Sequence, residues 1–156
     1  MNIRIVCVGK LKENYLKEGI DEYLKRLSRF CKTEIIEVNE ELCTDMSCQN
    51  ILRTKQAEGE RILQKLKGYC ISLDLKGKML TSEELSKKLT SLKTEGVSTI
   101  TFVIGGSYGL SKNVLDNCQM SLCFGKITYP HQLIRLVLTE QIYRCFMIEE
   151  GSSYHK

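Results

Sequence analysis

The chain has 156 residues, 42% of them hydrophobic and 27% charged, with a formal net charge of +4. This length fits one domain spanning 1–156 with a sizeable core, and the composition is typical of a soluble globular protein. The first ten residues, MNIRIVCVGK, lack an apolar segment of signal-peptide length, and no apolar run approaches a membrane span. The mild positive charge permits contact with nucleic acid without requiring it.

The eight cysteines are more than usual for this length. No Cys-x-x-Cys pair occurs and no histidine lies at zinc-finger spacing, so we expect no structural metal site. Cys7, Cys70 and Cys123 stand inside apolar runs, where cysteine behaves as a small hydrophobe. Because disulfides are rare in the cytosol, we expect a cytoplasmic protein with free thiols.

Apolar runs and helical patterns alternate along the chain. The apolar runs predict strands over 3–8, 33–38, 69–75, 98–106 and 120–124. The helical patterns predict helices over 13–30, 48–67, 81–93, 112–117 and 130–146. Thr81 and Glu84 have the spacing of a capping box at the start of the third helix. The order βαβαβαβαβα predicts an α/β fold, a mostly parallel sheet with helices on both faces.

In such sheets, ligands bind beyond the carboxyl ends of the strands. The loop after the first strand, VGKLKEN, lacks the dinucleotide-binding fingerprint, and no P-loop motif occurs anywhere. The loop after the fourth strand, IGGSYGLS, contains Gly105, Gly106 and Gly109. Glycine allows positive φ and lets a ligand approach the main chain. This loop is either a tight strand-to-helix turn or a ligand loop, and its glycine density slightly favours the ligand loop.

Pro130, the only proline, stands between the fifth strand and the last helix. Proline is favoured in the first turn of a helix, so it predicts a helix start. It also holds the preceding chain extended, so that the backbone groups of Thr128 and Tyr129 are available to recognise a flat heterocycle. His131 follows at the helix start, where the dipole disfavours its charged form, and we expect it to hold the loop.

The last predicted helix is apolar around most of its circumference, which is typical of a helix buried on more than one side. A second copy of the chain is the simplest cover, so we expect a homodimer. Arg135 in this helix is either a snorkelling surface residue or an anion contact near the site, and the pattern favours the surface residue. The tail, GSSYHK, has residue types that would suit RNA, although most tails fray.

The chain resembles a known family in FVIGGSYGLS, LCFGKITYPHQLIRLVLTEQIYRCFMI and the terminal YHK, and also in VGKLKENY, EYLKRL, EGERIL and LDLKGK. These motifs, spread over the whole chain, look like those of the large-subunit rRNA pseudouridine N3-methyltransferases of the SPOUT class. The resemblance implies a C-terminal deep trefoil knot, a homodimer and S-adenosylmethionine as cofactor. It implies as substrate a pseudouridine in the helix 69 loop of 23S rRNA, methylated in the assembled ribosome.

Carried over by motif position, the resemblance implies a set of cofactor contacts: Leu73, Gly105, Phe124, Gly125, Lys126, Ile127, Thr128 and Tyr129. The family pattern usually reads Ser-Lys-Met-Thr-Phe-Pro-His-Gln, so Gly125 stands where serine is common. If that hydroxyl bonds the cofactor or caps the loop, one contact is lost here, whereas main-chain contacts survive.

Methylation at N3 of pseudouridine requires an imide nitrogen to lose its proton, and histidine is the natural general base. We expect His155 to act as base or substrate orienter, across the dimer interface. We expect Tyr154 to stack on or hydrogen-bond a base, and Arg135 to contact the substrate. Because a small chain of net charge +4 grips little RNA alone, we expect the ribosomal surface to supply recognition. Two alternatives stay open: a SPOUT enzyme with another RNA target, and a ribosome-binding factor without catalysis.

Overall fold

The computed structural model describes residues 1–155, in which five strands and five helices alternate. The strands are β1 (Asn2–Val8), β2 (Lys32–Val38), β3 (Tyr69–Met79), β4 (Thr99–Ile104) and β5 (Met120–Cys123). The helices are α1 (Asn14–Leu27), α2 (Cys48–Leu63), α3 (Ser82–Thr94), α4 (Lys112–Asp116) and α5 (Leu133–Glu149). Every element predicted from hydrophobic periodicity is present, and the predicted order is confirmed.

The strands form one parallel sheet in the order β2-β1-β4-β3-β5. Helices α1, α3 and α5 pack on one face with the larger core cluster, and α2 and α4 pack on the other with a second cluster. The predicted parallel sheet covered on both faces is therefore confirmed. Strand β4 (TITFVI) is buried at every position, which explains its unbroken apolar run.

Strand β3 is longer than predicted because its ladder with β5 is interrupted by a bulge. Leu73 and Lys78 both oppose Leu122, so 74–77 leave the ladder between these two pairings. Gly77 lets the bulge pass close to β5, since a Cβ there would lie 2.7 Å from the backbone nitrogen of Leu122. Asp74 lies in this bulge, within β3 but outside the ladder with β5.

Two predicted helix starts have different outcomes. The capping box of α3 is confirmed: Thr81 Oγ1 accepts a hydrogen bond from the Glu84 amide at 3.2 Å, and the Glu84 carboxylate accepts one from the Thr81 amide at 2.8 Å. The predicted start of α5 at Pro130 is wrong, because this helix begins at Leu133. The carbonyl of Pro130 still accepts a hydrogen bond from the Ile134 amide at 3.0 Å, so the proline precedes the first turn.

The segment 124–132, which we call the crossing segment, connects distant parts of the sheet. Strand β5 lies at one edge, yet α5 begins beside β1, where Arg135 Nη2 donates to the carbonyl oxygen of Val8 at 2.6 Å. Because β3 and β4 lie between β5 and β1, the crossing segment passes their carboxyl ends. Within 1–155, no helix combines the length and the apolarity needed to cross a bilayer.

Candidate active site

A pocket of about 960 Å³ opens at the carboxyl ends of β3, β4 and β5. Its walls are the β3 bulge, the glycine loop (105–110) and the crossing segment. Leu73, Ile104, Leu115, Leu122 and Ile134 give it an apolar lining. Small-molecule sites commonly have volumes of about 300–1,000 Å³ and this kind of lining. The pocket lies where ligands of parallel sheets bind, and it can hold a molecule with a flat ring system.

The pocket gathers most of the residues predicted to contact a cofactor. Of the eight, seven line it: Leu73, Gly105, Phe124, Gly125, Ile127, Thr128 and Tyr129. Lys126 is exposed and is not among the lining residues. The structure thus brings three separate chain segments to one cavity, while the contacts of these residues with a cofactor stay a prediction.

The glycine loop is a tight turn and a pocket wall at the same time. A Cβ on Gly105 would lie 2.8 Å from the carbonyl carbon of Gly109, so the chain closes on itself there. Gly109 has φ of +79°, a conformation that favours glycine. Its amide donates to the carbonyl of Gly106 at 3.0 Å. The tight turn is confirmed, and the loop also lines the pocket, while its part as a ligand loop stays a prediction.

Helix α2 packs next to the glycine loop through Glu58. Glu58 on this helix is only 3% exposed, and its Oε1 accepts a hydrogen bond from the Glu41 amide at 3.1 Å. Its Oε2 has no hydrogen-bond partner within 1–155, and a Cβ on Gly106 would lie 2.9 Å from that oxygen. Burial raises the pKa of Glu58. Sequence reasoning missed this residue, although the EGERIL motif that contains it marked the stretch.

The polar groups at the pocket rim were also missed. Lys55, Asp74 and Lys76 line the pocket, and the Lys76 amide donates to the Asp74 carboxylate at 2.7 Å. The signal that points to Asp74 is its place at the end of a strand in a parallel sheet. His131 lines the pocket as well, and burial together with the Arg135 cation lowers its pKa. That His131 holds the loop stays a prediction.

Arg135 lies inside the protein, so its interpretation as a snorkelling surface residue is wrong. Its side chain is fully buried, and its Nη2 donates to the carbonyl oxygens of Val8 and Gly9 at 2.6 and 3.0 Å. Its Nη1 donates to Glu37 Oε1 at 3.1 Å. The guanidinium fastens the start of α5 to the ends of β1 and β2. This geometry gives no support to the predicted contact between Arg135 and substrate.

The C-terminal tail folds back over α5 and the start of α3. Tyr154 Oη donates to Glu140 Oε1 at 3.1 Å, and its ring meets Tyr143 edge-on at 5.1 Å between centroids. Burial is the main cause that raises the pKa of Tyr154. His155 Nε2 lies 2.7 Å from Glu83 Oε1. Neither tail residue lines the pocket of its own chain, and Lys156 lies outside the described residues.

The comparison with protein families decides the class of this fold. The family described as "Predicted SPOUT methyltransferase" matches residues 1–155. The chain belongs to the SPOUT methyltransferase family. Two relatives named "Ribosomal RNA large subunit methyltransferase H" are similar over their whole length: the protein of Pediococcus pentosaceus is 57% identical and that of Clostridium botulinum strain Alaska E43 is 54% identical, each with both chains fully covered.

Solved structures share the fold of this SPOUT methyltransferase at low sequence identity. A "probable methylase family protein" from Haemophilus influenzae aligns with a TM-score of 0.54 at 15% identity, covering 99% of this chain and 70% of the other. A "putative methylase family protein" from Neisseria gonorrhoeae aligns with a TM-score of 0.51 at 12% identity, covering 90% of this chain and 81% of the other. A methyltransferase requires a methyl donor. Residues 1–155 of this SPOUT methyltransferase contain no cluster of three or more side chains suited to a metal ion.

Proposed function

We propose that this enzyme transfers a methyl group from S-adenosylmethionine to N3 of a pseudouridine in the helix 69 loop of 23S rRNA. The proposed substrate form is the assembled ribosome, in the cytoplasm. The observation that carries the proposal is the convergence of Leu73, Gly105 and the crossing segment on one apolar pocket. The relatives' shared name supports large-subunit rRNA as the target, and the resemblance of the motifs supplies the nucleotide.

The residues of the pocket fit S-adenosylmethionine. An apolar cavity of about 960 Å³ suits an adenine ring, and the crossing segment offers main-chain donors and acceptors beside it. Gly105 and Phe124 to Tyr129 would hold the cofactor, apart from the outward-facing side chain of Lys126. The bound cofactor would supply a methyl group on a sulfonium. Because that group is intrinsically reactive, the chain's own contribution is to bind, orient and exclude water.

The crossing segment is the part of the chain that we propose to be knotted. It passes the ends of β3 and β4 from one edge of the sheet and delivers α5 beside β1. Most protein chains avoid such threading, so hydrophobic periodicity gives no signal for it. A knot here would bring the crossing segment and the glycine loop together as two walls of one pocket.

A homodimer is the proposed working form. No residue of α5 before Glu149 is exposed, and Leu133, Val137 and Met147 are only half-buried in the single chain. A second copy would cover them. Because Tyr154 and His155 lie away from the pocket of their own chain, we propose that the tail of one subunit completes the pocket of the other. There His155 would accept the imide proton and Tyr154 would contact the base.

The test separates cofactor binding from methyl transfer. A variant that ends at Ser153 is compared with the full chain by calorimetry with S-adenosylmethionine and by methyl incorporation into ribosomes with and without the target pseudouridine. We expect unchanged cofactor affinity and lost methylation. Lys112→Ala is the matched control, because this side chain is 86% exposed on α4, and it should behave like the parent.

Four outcomes would count against parts of the proposal. Full methylation by the shortened chain would remove the tail from the mechanism. Failure of the parent chain to bind S-adenosylmethionine would favour a ribosome-binding factor without catalysis. Methylation mapped to another nucleotide would favour a different RNA target. Sedimentation of the parent chain as a monomer at assay concentration would refute the shared site.

A further inference from the structure

The tail histidine is held between two groups of opposite charge. Nε2 of His155 lies 2.7 Å from Oε1 of Glu83, which is on the first turn of α3. On the other side of the ring, Nδ1 lies 3.4 Å from Nη1 of Arg144 on α5. Arg144 is itself fixed by Glu140, whose Oε1 accepts from its Nε at 3.0 Å and from its Nη2 at 2.6 Å.

These two neighbours select one tautomer of the neutral ring. The carboxylate of Glu83 is half-exposed and ionised at neutral pH, so it only accepts hydrogen bonds. Nε2 must therefore carry a proton. A guanidinium only donates, so Nδ1 facing Arg144 must carry a lone pair. The surroundings favour the Nε2–H tautomer and leave Nδ1 as the basic atom of His155.

The helix turn that carries Glu83 is held in place by its own hydrogen bonds. The capping box formed by Thr81 and Glu84 fixes the first turn of α3 on either side of it. The side chain is half-exposed, so its hydrogen bond with His155 adds little to stability. Its effect is on the orientation of the imidazole, in the way that a carboxylate orients the histidine of a hydrolase triad.

We propose that Glu83 is a positioning residue that holds His155 in the Nε2–H tautomer and presents Nδ1 to the substrate. The inference rests on the proposed function, in which His155 is the general base. The contact between Arg144 and Nδ1 is long for a hydrogen bond, so an entering imide N–H can replace it while Glu140 keeps Arg144 in place.

The proton transfer balances within this arrangement. The N3–H bond of the nucleobase breaks, its electron pair stays on N3, and the proton forms a bond with Nδ1. The imidazolium that results still donates from Nε2 to Glu83. The carboxylate then offsets the positive charge that His155 has gained, and the negative charge stays on N3 of the nucleobase.

Nitrogen NMR on the uniformly ¹⁵N-labelled full chain reads the tautomer directly. The chain has only two histidines, so His131 serves as the internal reference. We expect parent His155 to show a protonated Nε2 and an unprotonated Nδ1, and Glu83→Ala to show a mixture of tautomers with His131 unchanged. Glu149→Ala is the control, because Glu149 pairs with Lys93 on the same two helices.

Methylation of ribosomes supplies the second readout. Loss of the orienting carboxylate should lower kcat about tenfold in Glu83→Ala, by analogy with outer partners of ligating histidines, without changing the affinity for S-adenosylmethionine. Unchanged tautomers or a kcat within about twofold of the parent would overturn the inference. An inactive parent chain would refute the proposed function instead, and the tautomer measurement would still decide whether Glu83 orients His155.

Discussion

Replacing Arg135 by methionine tests whether this buried cation fastens α5 to the sheet. Methionine fills most of the space of the arginine stem but donates no hydrogen bond. The variant loses the bonds to Glu37 and to the carbonyl oxygens of Val8 and Gly9. We expect the free energy of unfolding to fall by about 3–5 kcal/mol, the usual cost of removing one partner of a buried ion pair.

The geometry places the effect near the lower end of that range. Each hydrogen bond from a charged donor contributes about 1.5–3 kcal/mol, but the carboxylate of Glu37 is 33% exposed and can be rehydrated. The carbonyls of Val8 and Gly9 are in buried contacts, so each loses a partner that water replaces poorly. Since a domain has about 5–15 kcal/mol of total stability, a loss of 3 kcal/mol is easily measured.

Urea unfolding at one fixed protein concentration is the assay, because the unfolding midpoint of the proposed dimer would depend on concentration. Lys112→Met is the matched control: it removes a cation that is 86% exposed and paired with Asp116, and it should cost less than about 1 kcal/mol. A loss below about 1 kcal/mol for Arg135→Met, with an unchanged urea slope, would refute the assignment of Arg135 as a structural fastener.

Three further substitutions test the pocket walls. Gly105→Ala forces a Cβ to within 2.8 Å of Gly109 and should weaken S-adenosylmethionine binding at least about tenfold by calorimetry. Gly96→Ala is the control for a general loss of stability: its φ of +84° strains alanine, but its Cβ meets nothing within 4 Å, so the affinity should not change. Glu58→Gln removes a buried acid whose pKa is raised by burial. The native parent binds this proton more tightly than the unfolded chain, so parent stability falls as pH rises above about 4.5. The difference in melting temperature between the variant and the parent should therefore shift in favour of the variant from pH 4 to pH 7.5. A difference that stays the same at both pH values would contradict this. Gly125→Ser restores the family residue at φ of +129° and should cost about 1 kcal/mol in urea unfolding; a neutral effect would show that the loop relaxes.

Periodicity predicted the elements because each one needs only local information. The apolar run of β4 and the amphipathic pattern of α1 are visible within ten to twenty residues of sequence. The extension of β3 to Met79 was not visible, since Lys78 joins the sheet only by opposing Leu122, a residue far along the chain. The predicted start of α5 is too early because a proline indicates that a helix begins nearby. It does not fix whether the proline lies inside the first turn or before it.

The sequence predicts those parts of the candidate site that come directly after a strand. It does not predict the residues whose positions depend on contacts with distant parts of the chain. The glycine loop and the crossing segment come directly after β4 and β5, so the rule for parallel sheets locates them. Arg135 was misjudged because its acceptors, Val8 and Gly9, are more than a hundred residues earlier in the chain. The Glu83 partner of His155 is 72 residues away, and no local pattern couples them.

The crossing segment links the closure of the fold to the formation of the site. Since β5 lies at the sheet edge and α5 begins beside β1, the chain between them must pass the ends of β3 and β4, and that path makes it a wall of the pocket. Arg135 fixes the far end of this path without lining the pocket. A change at Arg135 should therefore alter cofactor affinity as well as stability, because the wall is positioned by the same contact that closes the fold.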